Sequence, residues 1–175
     1  MIGSLGRRLT VGSAALALGS LGAIVAQSPA QAAGFSAAYT CTAPVLGTQS
    51  ATIDGSLTAS PNPATVGAPV GFQLHIAQIS LRAPVTINSW SMTVNLAVSG
   101  AETAQFPVTG SGGSVPANQP ITGDLAGTWT PTTAGTDEVR GGDVTVNANV
   151  FLLGNITITC TPNEPRPVGE TVTVS

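Results

Sequence analysis

Val70-Gly-Phe-Gln-Leu-His-Ile76 decides the fold class. Val70, Phe72, Leu74 and Ile76 share one parity, and Gly71, Gln73 and His75 hold the other. Strict alternation sends successive side chains to opposite faces of a strand, one toward a core and one toward water. The same pattern extends in both directions. Upstream, Phe35-Ala37-Tyr39-Cys41 alternates with Ser36-Ala38-Thr40, and Ala51-Ile53-Gly55-Leu57 alternates again. Pro44 to Gly47 and Ser60-Pro61-Asn62-Pro63 punctuate them. Downstream of Pro84, Val85 and Ile87 lie on one parity, while Trp90, Met92, Val94, Leu96 and Val98 lie on the other. That switch predicts a bulge near Asn88-Ser89. Phe106-Val108, Ile121 to Trp129, Val144 to Val150, Ile156 to Cys160 and Thr171 to Val174 read as further strands, with a tight hairpin at Gly154-Asn155.

After the N-terminal apolar run, no segment repeats with a helical period between caps. About eight to ten short strands at this spacing imply an all-β sandwich or barrel. The mixture of long and short strands favours an antiparallel β-sandwich, because a closed barrel needs lengths matched around the ring.

The first residues have the three parts of a secretory signal: Arg7-Arg8, the uncharged run Val11 to Val25, and Ala30-Gln31-Ala32 for the peptidase. The run is short of the roughly 20 residues that span a bilayer. We expect a cleaved signal over residues 1–32 and one domain over 33–175, secreted and free of the membrane. The arginine pair leaves the twin-arginine and general secretory routes both open. Cys41 lies too far from the run to be lipidated, and Glu170 to Ser175 reads as a strand with no sorting motif.

The predicted mature chain keeps Arg82, Arg140 and Arg166 against all eight acids, has no lysine, and carries a net charge of −5. An acidic chain without a basic patch argues against nucleic acid and anionic membrane as partners. Only 7% of residues are charged, and the outward strand positions are Thr, Ser, Asn and Gln. Such a face suits contact with a neutral polymer or a protein. The two cysteines, Cys41 and Cys160, bracket the domain, and an even pair in an exported chain reads as a disulfide.

Candidate chemistry is sparse. His75 is the sole histidine, so a Ser-His-Asp mechanism would have to use it; its place on a regular strand reads as a solvent-facing polar residue. Gly112-Gly113-Ser114-Val115-Pro116 begins like a nucleophile elbow but lacks the closing glycine. Asp137-Glu138 and Asp143 flank Gly141-Gly142, which reads as a solvated hairpin whose ligand spacing matches no EF-type loop. Asp54, Glu102 and Asp124 are isolated. Trp90 shares the core parity, whereas Trp129 beside a turn is a candidate stacking platform. Trp129 with Ser111, Gly112, Gly113 and Ser114, in an expected loop from Ser111 to Pro120, forms the candidate binding surface. Asn155-Ile156-Thr157 matches a glycosylation acceptor. No catalytic set, metal site or cofactor is expected.

Two stretches resemble bacterial Ig-like modules of secreted and surface proteins. One is Leu57-Thr-Ala-Ser-Pro-Asn-Pro-Ala-Thr-Val-Gly-Ala-Pro-Val70; the other is Gly127-Thr-Trp-Thr-Pro-Thr-Thr-Ala-Gly-Thr136. The resemblance implies an Ig-like β-sandwich and nothing about chemistry. Extra strands before Leu57 and after Val150, and a cysteine pair outside the position of an antibody-type bridge, depart from that pattern. The whole chain, with one cysteine near each end and Thr-Cys-Thr-Pro closing, resembles small exported proteins of actinomycetes. The expected function is a secreted, non-catalytic module for adhesion, cell-envelope contact or protein binding, its partner an extracellular protein or a cell-envelope polymer. Two other classes stand beside it. One is a small esterase-like hydrolase built on His75; the other is a secreted inhibitor or toxin-like protein that plugs a cleft with the Ser111 to Pro120 loop.

Overall fold

A computed structural model of the protein describes residues 33–44 and 47–175. The expected signal segment, and part of the turn after Pro44, lie outside the described residues. The alternating segments form nine strands: β1 (Ala33–Ala43), β2 (Gly47–Ser60), β3 (Val70–Ile79), β4 (Ile87–Gly100), β5 (Ala104–Gly112), β6 (Gly123–Trp129), β7 (Gly135–Val150), β8 (Gly154–Pro162) and β9 (Val168–Val174). Among the described residues there is no helix, and so none long and apolar enough to cross a membrane. The all-β reading holds.

The ladder runs β4-β5-β6-β3-β2-β1-β8-β7-β9, and β4 also pairs with β7. All strand pairs are antiparallel. Two layers face each other. Phe35, Leu57 and Leu74 of one meet Val94, Leu96 and Val144 of the other around a small interior void. The β-sandwich is thus hydrogen-bonded at both margins. One margin is thin, with β5 meeting β6 only at Val108↔Gly127 and Thr109↔Ala126. At the other, β1 meets β8 over Tyr39 to Thr42. Mismatched strand lengths do not prevent this joining, because the 16-residue β7 divides one edge. It gives Val144–Val150 to β8 and Gly135–Arg140 to β9, while β4 runs along its other edge from Asp137 to Val150. The far edge of β9 is itself taken by the chain after β2, through Ala64 N–H to Thr173 O (2.8 Å) and Ser175 N–H to Ala64 O (2.9 Å).

Cys41 and Cys160 sit directly opposite each other in the β1–β8 register and are bonded. The bridge locks the margin where only four residue pairs hold the ladder.

One contiguous core fills the space between the layers. Phe72, Phe106 and Trp129 pack at its β3–β5–β6 end, with Phe72 and Phe106 centroids 4.7 Å apart and the Phe106 and Trp129 rings stacked at 6.2 Å. The bulge anticipated near Asn88-Ser89 is present, since the β4–β7 register shifts between Ile87 and Ser89. The hairpin expected at Gly141-Gly142 is not there. β7 runs straight through, and its inward parity changes from Asp137 and Val139 to Gly142 and Val144. The glycines build a bulge instead of a turn, because the chain there must pass close to β4: a Cβ on Gly142 would strike the Asn95 carbonyl.

Candidate functional site

The outward face of β4, β7 and β8 is assembled from the polar half of three alternating strands. Ser89, Ser91, Thr93 and Asn95 stand on β4, Thr145, Asn147 and Asn149 on β7, and Asn155, Thr157, Thr159 and Thr161 on β8. Antiparallel pairing puts these side chains in ranks across the strands. Thr109, Thr93, Thr145, Thr159, Thr42 and Thr48 form one rank that crosses β5, β4, β7, β8, β1 and β2. Ser111, Ser91, Asn147 and Thr157 form the next. Threonine suits these positions because its branched Cβ favours the extended chain.

Beside the second rank, Ser89, Ser91, Asn147, Asn149 and Asn155 line a hollow of about 420 Å³. Its amides are held by one another. Asn88 Nδ2 donates to Asn149 Oδ1, and Asn149 Nδ2 donates to Asn155 Oδ1, both at 2.8 Å. Thr157 Oγ1 donates to Asn147 Oδ1, also at 2.8 Å. Farther along the same face, a second hollow of about 240 Å³ contains Asn95, Asp143 and Thr161 with the ion pair Arg166–Glu164. The interior void beneath Tyr39 measures only about 20 Å³, space for roughly one water. Burial pushes the Tyr39 phenol up to about 12, an effect that Arg166 opposes and Asp143 reinforces.

The remaining chemical groups lie elsewhere. His75 is outward on β3, as expected, but it is not alone. Its Nδ1 lies 2.7 Å from Asp124 Oδ1 on β6, and Ser56 on β2 stands opposite it on the other side. The three types of a Ser-His-Asp mechanism therefore share one cross-strand row. Among the described residues no hydrogen bond joins Ser56 to His75, both His75 and Asp124 are exposed, and none of these three residues lines a hollow described above.

Asp137, Glu138 and Asp143 do not form a solvated turn. Asp137 is fully buried; its Oδ1 accepts the Glu102 N–H at 3.0 Å and its Oδ2 has no partner. Glu138 pairs with Arg140, and Asp143 faces the second hollow. Glu102 accepts the Thr132 hydroxyl at 2.6 Å and the Thr132 N–H at 2.8 Å. The hydroxyl, with help from backbone amides and the Trp129 indole, holds its carboxyl below the usual range. Among the described residues, no three of His, Cys, Asp and Glu are grouped to hold a metal.

The candidate surface of Trp129 with Ser111 to Ser114 divides. Trp129 is buried at 6% exposure, so its ring is core and not a stacking platform. Its place beside a turn misled, because β6 runs to Trp129 itself and the ring packs on Phe106 and Phe72. Ser111, Gly113 and Ser114 are exposed and Gly112 is half-buried; Ser111 and Gly112 belong to β5. The loop beyond is pinned by Val115 to Ile87 in both directions and by Asn118 N–H to Ala83 O. One feature had no forecast. The β7–β8 turn exposes Phe151, Leu152 and Leu153, with Leu152 at 85%. Three large apolar residues in a row before Gly154-Asn155 were the available signal.

No family model matches the chain, and no curated protein sequence matches it. Among solved structures, a Corynebacterium diphtheriae protein described as membrane-anchored aligns at 17% identity with a TM-score of 0.47. The alignment covers 82% of this chain and 38% of that protein, so the chain spans well under half of its length.

Proposed function

We propose that residues 33–175 act outside the cell as a single Ig-like binding module that performs no catalysis and contacts a cell-envelope polymer or an extracellular protein. The carrying observation is the outward face of β4, β7 and β8. Its larger hollow carries the carboxamides of Asn147, Asn149 and Asn155, each held by a neighbouring side chain, beside the hydroxyls of Ser89 and Ser91, with Trp90, Ala148 and Ile156 completing the lining, whereas the His75–Asp124 pair stands exposed on another face and lines neither hollow. Small-molecule sites are typically concave, of roughly 300–1,000 Å³, with a mainly apolar lining and a few fixed polar groups; this hollow has the size and the fixed polar groups. Export is supported by the Arg7-Arg8, Val11 to Val25 and Ala30-Gln31-Ala32 pattern and by the disulfide, a bond that persists in oxidising compartments.

The test is co-sedimentation of purified residues 33–175 with a cell-envelope fraction of a producing culture, alongside N-terminal sequencing of the secreted product. Sedimentation with the envelope, and a start near Ala33, are the expected results. A protein that stays in the supernatant and captures no extracellular protein would overturn the reading.

The row Ser56–His75–Asp124 is the specific observation behind a hydrolase alternative. Ester turnover by the purified domain that His75→Ala abolishes would replace the binding reading with that one.

A further inference from the structure

The outward face of β4, β7 and β8 narrows the class of ligand, and this step rests on the binding-module reading. From Ser89 to Asn95 the face runs about 20 Å at roughly 3.3 Å per residue. Over that stretch the outward residues are Ser89, Ser91, Thr93 and Asn95 on β4 with Asn149, Asn147 and Thr145 on β7, none of them charged. Charges begin only beyond it, at Asp143, Glu164 and Arg166 of the second hollow.

The groups are donors and acceptors in a fixed arrangement. Hydroxyls repeat about every 4.8 Å across the strands. The carboxamide relay Asn88–Asn149–Asn155 ends on Asn155, and among the described residues neither its Nδ2 nor that of Asn147, which accepts from Thr157, has a partner. The relay fixes these amides before any ligand arrives, which lowers the ordering cost of binding.

Three classes of occupant fail on this chemistry. Nucleic acid needs cations for its phosphates, and the neutral stretch has none. A protein partner would be expected to seat on aromatic or arginine anchors; the aromatic that lines the hollow, Trp90, is 5% exposed, and the exposed Phe151, Leu152 and Leu153 stand in the turn past the end of the strand face. An acidic polysaccharide would meet no charge in the larger hollow and, beyond it, two carboxylates, Asp143 and Glu164, against one arginine, Arg166, that is already paired with Glu164. A neutral sugar chain has the complementary properties: it is uncharged, extended, and bears hydroxyls that both donate and accept.

We infer that the hollow at Ser89, Ser91, Asn147, Asn149 and Asn155, together with the adjoining threonine rank, is a binding site for an extended neutral polysaccharide.

The experiment is affinity electrophoresis and titration calorimetry of residues 33–175 with soluble neutral glucan and mannan, with polygalacturonate as the acidic comparator. The variants are Asn147→Asp, which places a charge in the hollow at nearly constant shape, and Asn149→Ala, which cuts the relay. Circular dichroism and melting confirm that each remains folded. Should Asn147→Asp fold poorly, Ser91→Asp on the opposite strand substitutes for it. Binding to a neutral polymer, weakened at least tenfold by either variant and absent for polygalacturonate, is the expected result. Tighter binding to polygalacturonate, or neutral-polymer binding unchanged in the variants, would overturn the site. Envelope sedimentation by wild type and variants alike would sink the site while leaving the module reading intact; no envelope or protein partner for wild type would sink both.

Discussion

Tyr39 is the sole tyrosine of a chain without lysine, which makes the alkaline side of its stability curve unusually simple. Its phenol is pushed up from 10.0 to about 12 by burial between the layers. The unfolded chain releases that proton first, so the stability it confers is complete below pH 10 and is lost as pH rises toward 12. The span corresponds to about 2–3 kcal/mol. Tyr39→Phe should remove most of this alkaline loss, as melting temperatures across the range would show. Glu102 contributes to the opposite limb, beside Asp54, whose carboxyl is also lowered. The Glu102 carboxyl is lowered chiefly by the Thr132 hydroxyl, so its contribution is present above 4.5 and fades as pH falls through the lowered value. Glu102→Gln should flatten the acid side of the same curve. At Leu152 the backbone itself is the issue: φ is 66° and the side chain is 85% exposed. A non-glycine residue in that region costs about 1 kcal/mol. Leu152→Gly should therefore hold or raise the urea midpoint, although it deletes a large apolar side chain.

Among the strands, one indole packs across the seam between β5 and β6. The Trp90 ring lies against Gly112 of β5 and Gly123 of β6; a Cβ at either glycine would come within 2.5 Å of it. Gly123→Ala should force the ring aside and cost about 1–3 kcal/mol, seen as a lower urea midpoint with an altered near-ultraviolet dichroism of tryptophan. Neither glycine advertises this in sequence, where Gly112 reads as part of a loop and Gly123 as an ordinary position of the strand Ile121 to Trp129. The strands themselves were legible wherever alternation was uninterrupted, as in Val70 to Ile76 and Trp90 to Val98, because period-2 burial is a local property. Gly141-Gly142 was misread as a turn because a bulge and a hairpin use the same residues; only the partner strand decides between them. The His75–Asp124 contact was hidden for a related reason. It needs β3 and β6 to be neighbours, and 49 residues separate the two side chains. The polar character of the face on β4, β7 and β8 could be read position by position, but the ranks that make it a surface exist only once the register is known.

At the scale of the molecule, the disulfide closes a loop of 119 residues across the β1–β8 margin. The pairing followed from an even cysteine count in a chain read as exported; its position at a four-pair margin did not, since topology is not written in a local pattern. In the chain-entropy model a loop of this length contributes about 4–5 kcal/mol. The double variant Cys41→Ala, Cys160→Ala should lower the urea midpoint accordingly, and hydrogen exchange should rise first along Tyr39 to Thr42 and Thr159 to Pro162. The same closure governs how copies treat one another. A strand with a long unpaired edge is a template on which a second chain can extend the ladder. Here the sandwich is joined at both margins, and the last strand, β9, has its outer edge occupied by the chain around Ala64. No described strand offers a full-length open edge. A second copy would find only part-length templates, as on β1 before Tyr39 and on β8 before Thr159, where the four-pair margin leaves one side of each strand without a partner strand among the described residues.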